Sequence, residues 1–511
     1  MSLLKKANII TTPTAYSEGK LHSVKPEIAL GPELVTNGDF ATDSDWAKGT
    51  GWTISGGTAN CDGTNSSILR QNNLIPLNTK VKVSFTVTNY TSGSIIVKFA
   101  PTSYSVSLSG NGIYTVITDG DNTVNGDLQL LSNSFIGSID NVSVKEDISA
   151  DFDFTRGSTA TRVNEAGLIE SVAANLPRIN YENGIGHLLL EGQRTNLIPY
   201  SNNYNLGWIQ YGSSVDSTSV ISPDGTLNGS KVTRGSNQTP LRYSALTTLG
   251  TEYTFSLYAK KGSIDTMFLD IGDVANAGFT LTDEWQRFTV TSTPSTFSHI
   301  DISFGTSVSG DYIYIYGAQV EAGSYPTSYI VSNSGSATTR LAETCNNAGN
   351  SDIIPSDEGV LYAEISALAD DLTQRHIAIS DGSDSDVVRI NYHTTSNSIR
   401  GQVRAGGSIE ASLTHIVPDI KDFHKVAISY KENDVKLYVD GVLILTETSA
   451  SMPTGLGKLA FDNGNSINPF YGKTRMVAVF PYLSNDELEC LTGEGYASFE
   501  ALAAAYNYTT I

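Results

Sequence analysis

A chain of 511 residues exceeds what one hydrophobic core supports and predicts three or four domains of roughly 100 to 200 residues each. Its formal net charge of −21 disfavours the phosphate neutralisation that nucleic-acid binding requires. Only 17% of residues are charged, while Gly, Ser, Thr, Asn and Tyr abound, a balance that suits strands and tight turns and argues against a helical cytosolic enzyme.

The three cysteines, Cys61, Cys345 and Cys490, lie far apart and give neither a disulfide framework nor a zinc pattern. The opening Met1-Ser-Leu-Leu-Lys-Lys6 lacks the apolar run of a signal peptide, and no window approaches the roughly 20 apolar residues of a membrane span. The expectation is a protein made in a cytoplasm and not inserted into a membrane.

Residues 1–30 mix lysines with Thr11-Thr-Pro-Thr14 and lack a periodic apolar face, which predicts an extended arm that attaches to a neighbouring subunit. Residues 31–148 read as short strands and turns. Lys80-Val-Lys-Val-Ser-Phe-Thr-Val87 alternates as a half-buried strand requires, and Ser94–Phe99, Gly112–Ile117, Asp127–Leu131 and Ile139–Val144 follow. About eight such strands make a jelly roll. Leu34-Val-Thr-Asn-Gly-Asp-Phe40 and Ile139-Asp-Asn-Val-Ser-Val144 resemble the opening and close of carbohydrate-binding-module-like sandwiches. In those modules aromatic rings stack on sugars, which makes Trp46, Trp52, Tyr90 and Tyr104 the candidates here.

Residues 149–195 carry Phe152, Phe154, Leu168, Ile169 and Leu188-Leu-Leu190, split by Gly157, Gly167, Pro177 and Gly184, which predicts a packed connector of short strands. Arg156, Arg162, Arg178 and Arg194 are expected to bond carbonyls and carboxylates inside it. Phe154-Thr-Arg-Gly-Ser-Thr-Ala-Thr161, Gly167-Leu-Ile169, Asn175-Leu-Pro-Arg178 and Leu188-Leu-Leu-Glu-Gly-Gln-Arg-Thr-Asn-Leu197 resemble, in order, the connector of many tailed-bacteriophage virion proteins. That resemblance implies a virion protein with sugar-binding-type sandwiches.

Residues 196–333 repeat the strand pattern, with Trp208 as a further candidate for glycan stacking, and Gly317-Ala-Gln-Val-Glu321 through Ile330 resembles the final strand of phage carbohydrate-binding-like modules. Residues 334–351 form a linker whose Thr-Thr-Arg340 echoes Thr161-Arg162, with Arg340 expected to tether it to the preceding sandwich. In residues 352–483, His424-Lys-Val-Ala-Ile-Ser-Tyr430 and Val435-Lys-Leu-Tyr-Val-Asp-Gly441 resemble adjacent strands of concanavalin-A-like and laminin-G-like sandwiches. Ser484 and Glu487 are spaced as a capping box for a C-terminal helical segment, 484–511, with Phe499, Leu502 and Tyr506 on one face. The fold class predicted is all-β: two jelly rolls, one concanavalin-like sandwich and short C-terminal helices.

A glycosidase needs two carboxylates roughly 5 to 9 Å apart. Glu364 stands alone in its strand, and no nucleophile–base pair or phosphate-cradling loop is spaced for chemistry, so the expectation is no enzyme and no cofactor. Asp119 and Asp121, with Asp381, Asp384 and Asp386, have the oxygens calcium takes but not the spacing of a calcium loop, and Asx turns also explain them. The leading functional expectation is a fibre, spike or tail-associated adhesin that binds host surface polysaccharide by weak sites made effective by multivalency, as a homo-oligomer and most readily a trimer. The alternatives are a head or tail decoration or joining protein that uses the same folds for protein docking, and a polysaccharide depolymerase.

Overall fold

The computed structural model describes residues 3–26, 30–75, 80–100, 105–117, 126–147, 149–236, 241–244, 248–272, 275–296, 299–304 and 308–493. The chain divides into two units, Lys25–Ala150 on one side and Met1–Val24 with Asp151–Ile511 on the other.

In Lys25–Ala150 two long strands, Val81–Ala100 and Gly126–Asp147, pair along most of their length, and the remaining strands add to them. The sequence reading splits each into two short strands. The chain instead stays in register by bending, with shifts between Asn133 and Ile136 and between Asp140 and Ser143. Asn89, Gly93, Ser134 and Asn141 take left-handed φ angles of 53°, 74°, 54° and 52° at these bends. At Gly93 a Cβ would lie 2.0 Å from the Ser134 carbonyl oxygen, so only glycine lets the strands approach. Val81, Val83, Phe85 and Val87 point into the core at every second residue, as the alternation predicts.

The second unit holds a jelly roll and a larger sandwich. The jelly roll packs two five-stranded antiparallel sheets face to face. One runs Ile209–Gln210, Leu241–Ser244, His299–Ser303, Thr266–Ile271, Ala275–Thr280; the other runs Ser214–Val220, Gly229–Thr233, Tyr312–Ala322, Tyr253–Lys260, Gln286–Ser292. Its core is built from alternate residues such as Phe255, Leu257, Ile300, Ile302, Ile313 and Ile315.

The larger sandwich sets an eight-stranded sheet against a five-stranded one. Two pieces of that eight-stranded sheet come from outside residues 352–483. The first corrects the attachment arm: Ile9–Thr11 pairs with Gly472–Phe480, with Ile9 opposite Val479. Leu3, Ala7 and Ile10 are buried with Tyr362, Tyr438, Phe480 and Leu488, and Lys6 pairs with Glu487. An edge strand presents unpaired backbone groups, and Ile9 and Ile10 supply the apolar chain that covers it. The second piece comes from the connector, whose hairpin Ile179–Glu182 and Ile185–Leu190 extends the same sheet through Leu188 opposite Thr474. The helix Asn485–Thr492 begins with the capping box read from Ser484 and Glu487, whereas Phe499, Leu502 and Tyr506 lie outside the described residues.

The connector arginines build the joint. Arg156 Nη1 donates to Glu343 at 2.7 Å, Arg178 Nε donates to Glu343 at 2.8 Å, and Arg340 Nη1 donates to Glu191 at 2.7 Å. The Glu191 backbone N–H donates to Glu343 at 2.8 Å, and Ser328 N–H donates to Glu191 at 2.8 Å. These three arginines and two glutamates are at most 3% exposed as side chains. Burial alone would raise the Glu191 carboxyl, but Arg340 and Arg178 overcome it and hold it down to about 2. Buried Glu321, held by Gln319 and Thr327, brings the local balance to three arginines and three glutamates. Arg162 pairs with Glu170 at 2.6 Å, and the Arg194 guanidinium lies 5.3 Å over the Tyr325 ring. Arg156, Arg162 and Arg178 thus bond carboxylates and carbonyls within the chain, Arg194 meets an aromatic ring in place of the carbonyl or carboxylate expected, and Arg340 tethers the linker as its position predicts.

Candidate glycan-binding face

Of the aromatic residues singled out from sequence, three are core. Trp46 is 6% exposed, lies 5.2 Å from Phe40 and donates Nε1–H to the Asn37 carbonyl at 3.0 Å. Trp52 stacks on Phe135 at 6.4 Å, and Trp208 sits between Tyr204 and Tyr243 at 5.1 and 5.6 Å. None of the three presents a face to a sugar, which corrects their candidacy: large apolar rings beside strand starts are drawn into the sandwich by the area they bury. Tyr90 is half-buried, its ring 6.2 Å from Phe135 and its hydroxyl on the Gly93 carbonyl, so it seals the core rim. Tyr104 lies outside the described residues, as do Asp119 and Asp121.

The acidic turn at 381–386 is also taken up internally. Asp381 accepts from the Ser383 N–H at 2.8 Å, an Asx turn, and Asp386 accepts from the Thr454 N–H at 2.8 Å. Asp384 pairs with both Arg389 and Arg404. With its oxygens taken by two guanidiniums, whose charge exceeds its own and repels a dication, Asp384 is no calcium ligand, which removes the calcium reading at this turn.

The rings that do face outward lie on the second jelly-roll sheet. In Tyr312-Ile-Tyr-Ile-Tyr316 the isoleucines are buried in the core, so the pleat turns the tyrosines to the opposite face. Tyr314 stands opposite Lys231 on one neighbouring strand and Lys260 on the other. The Lys231 Nζ lies 3.9 Å from the Tyr312 ring centroid, and Lys260 Nζ lies 5.3 Å from Trp285 and 5.7 Å from Tyr314. Tyr312 and Tyr314 meet edge to face at 5.6 Å. Partial burial, with Tyr312 beside it, raises the Tyr314 phenol above its ordinary value, so it is a neutral O–H donor and acceptor at physiological pH.

One end of this face is closed and the other open. Tyr316 is buried, donates to Asp224 at 2.9 Å, and packs with Tyr329 and Ile169 of the connector. Trp285 is half-buried beside them, its Nε1–H on the Ile221 carbonyl at 3.0 Å, and Arg287 lies 5.6 Å over Tyr258. Tyr312, Tyr314, Lys231 and Lys260 remain part-exposed. The result is a strip of aromatic surface bordered by ammonium and hydroxyl donors. None of these residues stood out as a sugar contact in the sequence, although the Tyr-Ile-Tyr-Ile-Tyr alternation was the signal that one side of this strand is aromatic and not core.

These modules define a multi-domain all-β protein built from β-sandwiches. No family profile and no curated protein matches the chain. Among solved structures, a region is similar to the CBM40 of the Ruminococcus gnavus IT-sialidase bound to α2,3-sialyllactose, at 17% identity over 29% of this chain and 94% of that one, TM-score 0.25. The tandem CBM22-1–CBM22-2 of Paenibacillus barcinonensis Xyn10C aligns at 11% identity over 58% and 99% of the two chains, TM-score 0.20. Mouse laminin α1 domains LG4–5 align at 10% identity over 60% and 98%, TM-score 0.20.

Proposed function

We propose that this chain is a non-enzymatic glycan-binding protein of a bacteriophage particle, of the fibre, spike or tail-associated kind, and that the Tyr312–Tyr314–Trp285 face with Lys231 and Lys260 takes the sugar. The observation that carries the binding reading is that face. Its part-exposed rings can shed water against the C–H surface of a pyranose while the lysine and tyrosine groups meet its hydroxyls. Placement on a virion rests on the resemblance of residues 154–197 to phage connectors. Binding without cleavage is favoured by the pairing of Glu364 with Arg475, which takes up the acid that stands alone in its strand. Single sites of this size are weak, and several copies on one particle make them effective.

The test is a glycan array of bacterial surface polysaccharides probed with the full chain and with Tyr314→Ala. Selective binding by the parent chain, weakened about tenfold by the substitution (roughly 1.4 kcal/mol), is the expected result. Binding unchanged by Tyr314→Ala and by Tyr312→Ala would overturn the assignment of the face, and no glycan bound at all would favour the decoration reading.

A further inference from the structure

A second polar face lies on the five-stranded sheet of the larger sandwich. His376, Asn391, Arg400 and Thr414 stand opposite one another in a row across four strands, and Arg389 with Gln402 forms part of the next row. The alternate residues Ile377, Ile390 and Ile399 are in the core, so this row is on the sheet's other face, where His376, Asn391 and Gln402 are buried, His376 against Asn468 and Pro469, and Arg400 and Thr414 reach the surface. Arg389 donates to Gln402 and to Asp384, and Arg404 donates to the same Asp384. Two arginines therefore share one carboxylate, and a third, Arg400, stands in the neighbouring row, in a chain whose net charge is −21.

Arg400 is the one left over. It is half-buried, and among the described residues its hydrogen bond is Nε–H to Asn391 Oδ1 at 3.1 Å, with no carboxylate beside it. Burial and the neighbouring Arg389 push its guanidinium down to about 10, so it stays charged at neutral pH. Next to Asn391, His376 is 1% exposed and its Nδ1 has no hydrogen-bond partner, while burial first and then Arg389 and Arg400 hold the imidazole neutral, down to about 3. At the connector joint the same chain balances three buried arginines with three buried glutamates. A half-buried charge without a counter-ion is costly, and a ligand that brings the missing carboxylate recovers that cost. Thr414 and Ser412 at the end of the rows are exposed, which leaves the face open on that side.

We infer that Arg400 and Thr414, at the open end of the row His376–Asn391–Arg400–Thr414, form a second binding site selective for a carboxylate-bearing sugar, with the acid on the Arg400 guanidinium and a hydroxyl on Thr414, while buried Asn391, its NH2 on the Tyr392 carbonyl, holds Arg400 in place. This inference extends the glycan-binding reading but does not share its residues.

The experiment is a saturation-transfer NMR titration of the full chain with D-glucuronate, N-acetylneuraminate and D-glucose, using the parent, Arg400→Gln, Thr414→Glu and Tyr314→Ala. The expected result is preference for at least one acidic sugar over glucose, at least tenfold loss in Arg400→Gln, and no loss in Tyr314→Ala. Thr414→Glu places a carboxylate opposite Arg400 at an exposed position, and it should abolish acidic-sugar binding with the melting temperature kept or raised; it decides the matter if Arg400→Gln fails to fold. Equal binding of glucuronate, N-acetylneuraminate and glucose, or acidic-sugar binding that survives Thr414→Glu, overturns the inference. Loss in Tyr314→Ala alone would move the acid site to the other face.

Discussion

Glu343→Gln is the substitution that most sharply probes how the second unit is held together. Glu343 accepts from Arg156 Nη1, from Arg178 Nε and Nη2, and from the Glu191 N–H. The amide keeps one acceptor oxygen but turns an NH2 group toward donors that must then go unpaired, and it leaves three buried arginines against two glutamates. Breaking a buried pair from one side costs about 3–5 kcal/mol, because the remaining charge stays buried without its partner. Urea unfolding followed by circular dichroism should show that loss, while Glu358→Gln, which breaks an exposed pair with Lys431, should cost under about 1 kcal/mol. Replacing Glu343 and Arg178 together by Leu and Met should recover part of the loss. A cost for Glu343→Gln no larger than that of Glu358→Gln would refute the idea that this cluster is the joint.

Three other outcomes follow from the same reasoning. Asp270 faces Asp301 across two strands; burial, and then Asp301, raises its carboxyl to about 6, while Asp301 is held by Arg242 through two bonds of 2.6 Å. A folded value above the unfolded one means that the stability it contributes is full below about pH 4 and is lost as pH rises through about 6. Asp270→Asn should therefore raise the unfolding free energy at pH 7.5 by about 1 kcal/mol once solvent screening is discounted, seen as a higher melting temperature, and make no difference below about pH 4. Ile10→Asp places a charge on a side chain 2% exposed in the larger sandwich and should cost several kcal/mol in urea unfolding; an unchanged midpoint would restore the free attachment arm. Light scattering of the full chain should give three times the chain mass if the protein works as a trimeric fibre or spike, and a monomer would move the proposal toward a decoration piece.

Much of the fold was legible because the pleat writes itself into the residues. Lys80 to Val87, Tyr253 to Lys260 and Val435 to Val439 alternate or run apolar as strands in sandwiches must, and Ser484 with Glu487 marked a helix start that the geometry reproduces. What local pattern lacks is the partner. Nothing in Ile9-Ile-Thr11 says that its mate is Val477–Val479, and nothing in Arg178 says that Glu343 will meet it, because both pairings close over long stretches of chain. Bends at Asn89 and Ser134 were hidden because a left-handed residue inside a strand looks the same in sequence as one in a turn. The site was misplaced for a related reason. Tryptophan drew attention by its size, which is also what buries it, whereas Tyr312 and Tyr314 were exposed by alternation with two core isoleucines.

The most direct measurement of the central claim uses the protein's own chromophore. Among its tryptophans Trp46, Trp52 and Trp208 are core, whereas Trp285 lies half-buried beside Lys260 on the proposed face. Titrating a glycan selected from the array into the full chain should shift tryptophan emission, and Trp285→Phe should abolish the shift. A shift that persists in Trp285→Phe would place the sugar elsewhere and contradict the account.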